Sequence, residues 1–380
     1  MGSSAALSPA LADRLVAVVG AGVAGLVCAS RLADHGFQVT VFDMGRGPGG
    51  RMSQRREKAP DGGFFYFDHG AQYFTVKDPM VQCLVDKWES AGAVAEWSGK
   101  FGTYDMMTKQ FIEDMEVSKK RYVGVPGMNA ICQTLSEHPG VAAKFNTIVA
   151  KMDWVEERKV WTLTSKDGMQ LGEFWAVVAT DKIMASPRAF LKTGLPRPLD
   201  VAVPYLAEKV SAVTSSPSFA CMLVFSQSLT TIPLDGFNIV GSKVLAWASC
   251  DSSKPKRDKL MSSGECWVLH STAEYALEVI KDAGMEKPSD ELLSAVARCL
   301  FEEFKKIGGI LEPMFAKAHR WGSAFPDVSI AKEEGCLLDE FKRIAVCGDF
   351  CVGPRVECAI LSGISAAEKV QDLTYLDSKY

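Results

Sequence analysis

The stretch that leaves this chain the fewest folding options is Arg14 to Met52. Leu15-Val16-Ala17-Val18-Val19 is a short uncharged apolar run, suited to a strand buried on both faces of a parallel sheet. Gly20-Ala21-Gly22-Val23-Ala24-Gly25 follows directly. An apolar helix is expected from about Val23 to His35, with Gly36 as its C-terminal cap. Phe37 to Phe42 reads as a second strand, and Asp43 stands at its end. Gly20 permits the tight turn, Gly22 lets backbone approach a pyrophosphate, and Gly25 lets helix pack on strand. Ala24 belongs to the same turn. The helix N-terminus offers unpaired N–H groups and a partial positive charge. Asp43 lies 18 residues after Gly25, near the usual ~20, and can accept hydrogen bonds from an adenosine ribose. A lone GxGxxG also serves plain packing; strand, turn, helix, strand and acid in register argue against that.

Gly45-Arg46-Gly47-Pro48-Gly49-Gly50-Arg51-Met52 is a second glycine-rich turn, leaving the C-terminal end of a strand, where ligands bind in doubly wound sheets. Its backbone can approach a phosphate, with Arg51 as a charged donor. With this loop the chain resembles the two-dinucleotide-binding-domain flavoproteins, the amine-oxidase and protoporphyrinogen-oxidase superfamily, whose mark is a GGR-type loop after the ribose acid. The resemblance implies FAD rather than free NAD, with Gly49, Gly50, Arg51 and Met52 at the cofactor. That family more often carries glutamate where this chain has Asp43.

Further strings carry the same resemblance. Phe64 to Thr75 is aromatic and β-prone, interrupted by Asp68-His69-Gly70. The run Asp68-His69-Gly70-Ala71-Gln72-Tyr73-Phe74-Thr75 resembles the renalase branch, which implies His69, Gly70, Ala71 and Gln72 beside the flavin and Tyr73 in the substrate environment. A neutral His69 is expected to titrate near neutral pH. Val149 is carried over, by position alone, as the backbone partner of the adenine. Ala318-His319-Arg320-Trp321 is similar to a renalase His-Arg/Lys-Trp string, and Trp321 suits stacking on a nicotinamide-like ring. A buried structural tryptophan is the equal alternative. Near the end, Ile344 to Val346 leads into Gly348-Asp349, a turn, and a helix from Val356 to Val370. The superfamily places such an aspartate on the ribityl or pyrophosphate part and aims the helix, here with Val356 and Glu357, at the flavin.

At 380 residues, with 47% hydrophobic and 23% charged residues, the chain has the makings of a one- or two-domain globular protein. Net charge −4 argues against nucleic acid as a partner and against charge-driven membrane attachment. The eleven cysteines are scattered through apolar runs, which suits buried thiols in a reducing compartment such as the cytoplasm. A plastid is the alternative if a targeting segment is missing. Cys347, Cys351 and Cys358 cluster, but not at zinc spacing. Residues 1–13 read as a loose tail, and Leu15 to Ser30 is too short for a membrane span.

The expected fold is α/β: a discontinuous Rossmann-like FAD-binding domain (14–77, 122–185, 316–380) with a smaller α+β substrate domain (78–121, 186–315). Helices are expected at Asp78–Ala91 and Lys287–Ile307, and strands at Phe145–Asp153, Phe219–Phe225, Gly236–Val240 and Trp267–Ser271. The charged run Glu113–Arg121 reads as a solvated face, Gly194–Pro204 as a loop, and Ser252–Ser263 as a polar, lysine-rich loop. The resemblance implies hydride transfer to flavin N5 from a reduced nicotinamide, with dioxygen as acceptor. No cysteine or histidine in the matched loops anchors FAD covalently, so binding is expected to be non-covalent. A flavin amine oxidase is the first alternative. A non-catalytic partner-binding protein like the prenyl-protein chaperones of this fold is the second. Oligomeric state is not legible.

Overall fold

The computed structural model describes residues 14–115, 120–257, 264–284 and 286–377. The chain divides into two compact units. The first comprises Met1–Gly50, Ile131–Thr214 and Pro326–Tyr380; the second comprises Arg51–Ala130 and Ser215–Phe325.

The first unit is built on a six-stranded sheet. Its order is Leu337–Asp339, Ile344–Val346, Ala176–Ala179, Leu15–Val19, Gln38–Phe42, Val141–Lys144. Every neighbouring pair is parallel except the first. The central strand is buried at Val16 to Val19, as its uncharged sequence requires. Helix Val23–Asp34 links it to Gln38–Phe42. The C-terminal helix Val356–Asp377 packs on that helix so closely that a Cβ on Gly363 would lie 2.3 Å from the Ala24 carbonyl oxygen. A three-stranded antiparallel sheet, Val149–Val155, Val160–Ser165 and Gln170–Phe174, adds Trp161 and Phe174 to the core. The strand expected from Phe145 begins at Val149, because Asn146 takes a positive φ of 54°.

Residues 187–211, expected in part as loop, form three short helices: Pro187–Thr193, Pro198–Ala202 and Pro204–Ser211. Proline ends helices from within but starts them at the first position, where its missing N–H costs nothing. Ser186 caps the first of them, accepting from Arg188 N at 3.3 Å.

The second unit holds a seven-stranded sheet in the order Phe315–Pro326, Ser215–Phe225, Glu265–Ser271, Leu245–Cys250, Gly236–Val240, Phe101–Asp105, Gln110–Glu113. Alternation along the strands separates its two faces. Phe219, Leu223, Phe237 and Trp267 pack with Leu300 and Phe304 of the helix Asp290–Lys305. On the other face, Met222, Val224, Cys266 and Val268 meet Phe65 and Phe67 of the hairpin Arg55–Lys58/Phe64–Phe67. That contact gathers residues 51–77 into the second unit, whereas the sequence reading grouped them with the dinucleotide-binding domain. Helix Pro79–Ser90 starts where expected, with Asp78 accepting from Met80 N at 2.8 Å and Val81 N at 3.2 Å.

Candidate active site

The first unit gathers its glycine turns at the C-terminal ends of parallel strands. Gly20 takes φ 116°, and a Cβ there would lie 2.3 Å from Thr180 Oγ1. A Cβ on Gly25 would lie 2.1 Å from the Gly20 oxygen. These two glycines are demanded by packing. Gly22 differs: a Cβ on it meets no heavy atom within 4 Å. It is the N-cap of helix Val23–Asp34, which has no side-chain cap and no acid in its first turn. The helix therefore presents its first N–H groups and positive dipole end to open space.

Hydrogen bonds draw the neighbouring segments to this turn. Gly49 N donates to Ala21 O at 2.9 Å, and a Cβ on Gly50 would sit 3.5 Å from Gly22 Cα. Asp43 accepts from Ala21 N through Oδ2 and from Gly45 N through Oδ1, each at 2.6 Å. Its carboxylate thus ties the first glycine turn to the second and keeps lone pairs for a further donor. Thr147 N donates to Asp43 O and Asn146 N to Gly45 O, both at 2.8 Å, which brings in the segment ahead of Val149. Val149 itself is buried. At the far end, Gly348 N donates to Ser362 Oγ at 2.9 Å on the C-terminal helix. Asp349 is buried, and Glu357, 1% exposed, receives Arg355 Nη2 at 2.6 Å. An open glycine floor, an uncapped helix end and a carboxylate beside them fit an adenine dinucleotide.

In the second unit, the segment Asp68–Phe74 lies on the sheet face that carries Val268. His270 Nε2 meets His69 O at 3.1 Å, and Ser249 Oγ donates to Gln72 Oε1 at 2.9 Å. Trp321 Nε1 donates to His69 O at 2.8 Å. Gly70 has no room for a side chain: a Cβ would lie 2.0 Å from Arg51 O and 3.2 Å from Trp321 Cζ2. Ala71 N donates to the same Arg51 oxygen at 2.9 Å. Arg51, expected as a phosphate donor, directs Nη1 to Ala324 O at 2.9 Å. Met52 is buried.

His69, His319 and Trp321 pack as a triangle with ring centroids 4.8, 4.9 and 4.6 Å apart. Burial, then the neighbouring His319, pushes the His69 pKa well below its usual value, so it does not titrate near neutrality as expected. Burial pushes His270 and His319 down to about 4.

Behind this segment sits a buried group of four charges. Lys254 Nζ contacts Asp251 Oδ1 at 2.5 Å, Asp68 Oδ2 at 3.1 Å and Gln72 Oε1 at 3.1 Å. Arg257 Nη2 donates to Asp68 Oδ2, and its Nη1 lies 3.5 Å from Asp251 Oδ2. Asp68 Oδ1 also accepts from Met128 N at 2.9 Å. All four side chains are 0–1% exposed. Burial raises the Asp251 pKa, but Arg257 and then Lys254 outweigh it and hold the carboxyl below the usual range.

Sequence reasoning placed Lys254 and Arg257 in a polar loop; the structure buries both, while 258–263 lie outside the described residues. It also read Glu113–Arg121 as solvated. Residues 116–119 lie outside the described set, and Arg121 is 11% exposed, its guanidinium 4.0 Å from the Phe101 ring centroid and 5.6 Å from that of Tyr73. Tyr73 joins Trp97, Phe101 and Trp247 in one aromatic cluster, and its ring pairs among the described residues do not include Trp321. His319 was quoted only as part of a string, and His270 was not singled out at all.

Residues 84–371 match the family model of flavin containing amine oxidoreductases, and residues 18–88 match that of NAD(P)-binding Rossmann-like domains. The chain belongs to the flavin-containing amine oxidoreductase family. That membership implies a flavin cofactor and supports the superfamily resemblance, without selecting the renalase branch. Among curated relatives, the 4,4'-diapophytoene desaturase of Staphylococcus haemolyticus is 40% identical over 134 residues, covering 34% of this chain and 24% of the relative. A zeta-carotene-forming phytoene desaturase of Myxococcus xanthus is 50% identical over 48 residues, 13% of this chain and 9% of the relative. The flavoprotein thus matches a quarter or less of these relatives' length. Solved structures share its fold. One is a protoporphyrinogen oxidase candidate from Exiguobacterium sp. 255-15, with TM-score 0.66 and 12% identity, covering 95% of this chain and 98% of the other. Another is an oxidoreductase from Methanosarcina mazei, with TM-score 0.64 and 13% identity, covering 93% and 100%.

Proposed function

We propose that this flavoprotein oxidises a reduced nicotinamide of the dihydropyridine type, with non-covalently held FAD as first acceptor and dioxygen as second. The observation that carries the cofactor assignment is the open space at Gly22 beside the uncapped N-terminus of helix Val23–Asp34. There the N–H groups following Gly22 would hold the pyrophosphate, and Asp43 would take the adenosine ribose. The segment at Val149 would border the adenine. Asp349 would meet the ribityl or phosphate part, and the helix starting at Val356 would direct its positive end at the ring. Bound flavin supplies the two-electron acceptor chemistry. A dihydropyridine releases only hydride, so no protein base is required, in keeping with His69, His270 and His319, which burial makes weak bases by lowering their pKa values. Dioxygen takes the two electrons together with two protons and leaves as hydrogen peroxide. The resemblance that names the renalase branch assigns His69, Tyr73 and Trp321 to the ring and substrate environment. Among the described residues no helix is long and apolar enough to cross a membrane.

Two measurements test this. Flavin released intact by protein precipitation would establish non-covalent binding, and protein that takes up no flavin would overturn the cofactor assignment. Anaerobic mixing with dihydronicotinamide isomers is expected to bleach the flavin. Bleaching by a primary amine or polyamine alone would move the enzyme to amine oxidation.

A further inference from the structure

The aromatic cluster of the second unit holds a cation, Arg121, whose hydrogen-bonding capacity is only partly used. Tyr73 has ring centroids 5.8 Å from Trp247, 5.9 Å from Phe101 and 6.4 Å from Trp97. Arg121 lies over Phe101 and Tyr73 with its guanidinium nearly sealed from solvent. Its hydrogen bonding is incomplete. Nη2 reaches Asp114 Oδ2 at 2.7 Å, while Nε is buried without a partner among the described residues. The Asp114 side chain is 45% exposed, so this counter-ion sits where water competes for it. Trp247 Nε1 is a second buried donor without a partner among those residues. The indole rests directly on backbone at Gly236, where a Cβ would lie 2.9 Å from Trp247 Cζ2. Tyr73 and Trp247 are themselves only partly buried.

Donors without acceptors, set among aromatic walls, describe the complement of a flat ring joined to an anionic group. They also oppose an ammonium, which a guanidinium over the same rings repels. We propose that this cluster is a substrate subsite in which Arg121 selects a phosphate, so that the substrate is a nucleotide and not a nucleoside or an amine. Tyr73 and Trp247 provide the surface for its planar part, and Asp114 holds Arg121 in place until the phosphate displaces it. This rests on the dihydronicotinamide reading above and narrows its substrate class.

The experiment compares reduced nicotinamide riboside with reduced nicotinamide mononucleotide, which differ by one phosphate. Flavin reduction is followed anaerobically in wild type, Arg121→Gln and Arg121→Lys. In wild type the mononucleotide is expected to half-saturate the rate of flavin reduction at a concentration about 10- to 100-fold below that of the riboside, the range of one charge-assisted contact. Arg121→Gln should erase that ratio, and Arg121→Lys should restore only part of it, since an ammonium lacks the planar fork. Equal effects on both donors would make Arg121 a packing residue and overturn the proposal, as would a wild-type ratio near one. If neither donor reduces the flavin, the functional reading fails, and binding still decides the subsite. Oxidised nicotinamide mononucleotide should then quench the fluorescence of wild type and not of Arg121→Gln, with the riboside silent in both. Quenching that is absent, or indifferent to the phosphate, would remove the subsite as well. A retained flavin spectrum and unchanged unfolding midpoint verify that each variant is folded.

Discussion

Replacing Lys254 by methionine tests whether the four buried charges act as one neutral unit. Asp68, Asp251, Lys254 and Arg257 sum to zero, and none reaches solvent to any useful extent. Lys254→Met leaves two carboxylates facing one guanidinium. Asp251 loses its contact at 2.5 Å, and Asp68 and Gln72 each lose one at 3.1 Å. Removing one partner of a buried pair costs about 3–5 kcal/mol, mostly because the other charge stays desolvated. That is a large part of the ~5–15 kcal/mol by which domains are stable. Asp251→Leu alone should cost a similar amount, because it leaves Lys254 and Arg257 facing the single carboxylate of Asp68. The double variant Lys254→Met/Asp251→Leu restores neutrality around Asp68 and Arg257 and should lie within about 1–2 kcal/mol of wild type, since apolar replacement of buried ion pairs is often nearly neutral.

The assay is urea unfolding followed by tryptophan fluorescence at a fixed FAD concentration, because bound ligand shifts apparent stability. Trp97, whose ring lies 5.3 Å from Lys254 Nζ, reports on the same region. A double variant that costs the sum of the two single ones would refute the reasoning, since it would show no coupling between the charges. The double variant should still be impaired in flavin reduction. Without Lys254, Gln72 loses a donor, and the Asp68–Gln72 segment is less firmly held.

Other outcomes follow from the same geometry. Gly22→Ala should leave the unfolding midpoint unchanged and weaken FAD binding, whereas Gly25→Ala should destabilise the fold by roughly 1–3 kcal/mol or more, its Cβ meeting Gly20 O at 2.1 Å. Equal stability loss in both would remove the distinction between a ligand-facing and a packing glycine. His270 and His319 have pKa values lowered to about 4, so the unfolded chain binds more protons between pH 4 and about 6.5. Stability is fully present above that window and lost as pH falls through it, by at most roughly 3 kcal/mol per imidazole; a flat denaturation profile between pH 7 and 4.5 would contradict this. All eleven cysteines are free thiols, and Cys83 alone is exposed. A thiol reagent should modify one group rapidly in the native protein, and Cys83→Ser should abolish that phase. Burial pushes Cys132, Cys221 and Cys351 up to about 12, so they should react only on unfolding.

What the sequence disclosed and what it concealed divide along a physical line. Glycine turns are legible because the backbone states its needs in residue type: φ 116° at Gly20 and the 2.1 Å approach at Gly25 admit little else. The parallel strand at Val16–Val19 is legible because burial on both faces removes every charge from it. Pro198 and Pro204, within the run read as a loop, misled, since the same residue breaks a helix from inside and begins one from its edge. Lys254, Arg257 and Arg121 misled more deeply. A local pattern assigns cations to water, and what overrides it here is a partner far away in sequence: Asp68 lies 186 residues from Lys254 and 189 from Arg257. Arg121 is overridden by the rings of Phe101 and Tyr73. Charge is therefore the residue property whose sequence reading most depends on the fold. A buried cation met in a run that composition calls solvated is weak evidence for stability, and so a reason to test it for another role. In this chain both such places lie beside the Asp68–Tyr73 segment, and the experiments on Lys254 and Arg121 ask separately whether each serves it.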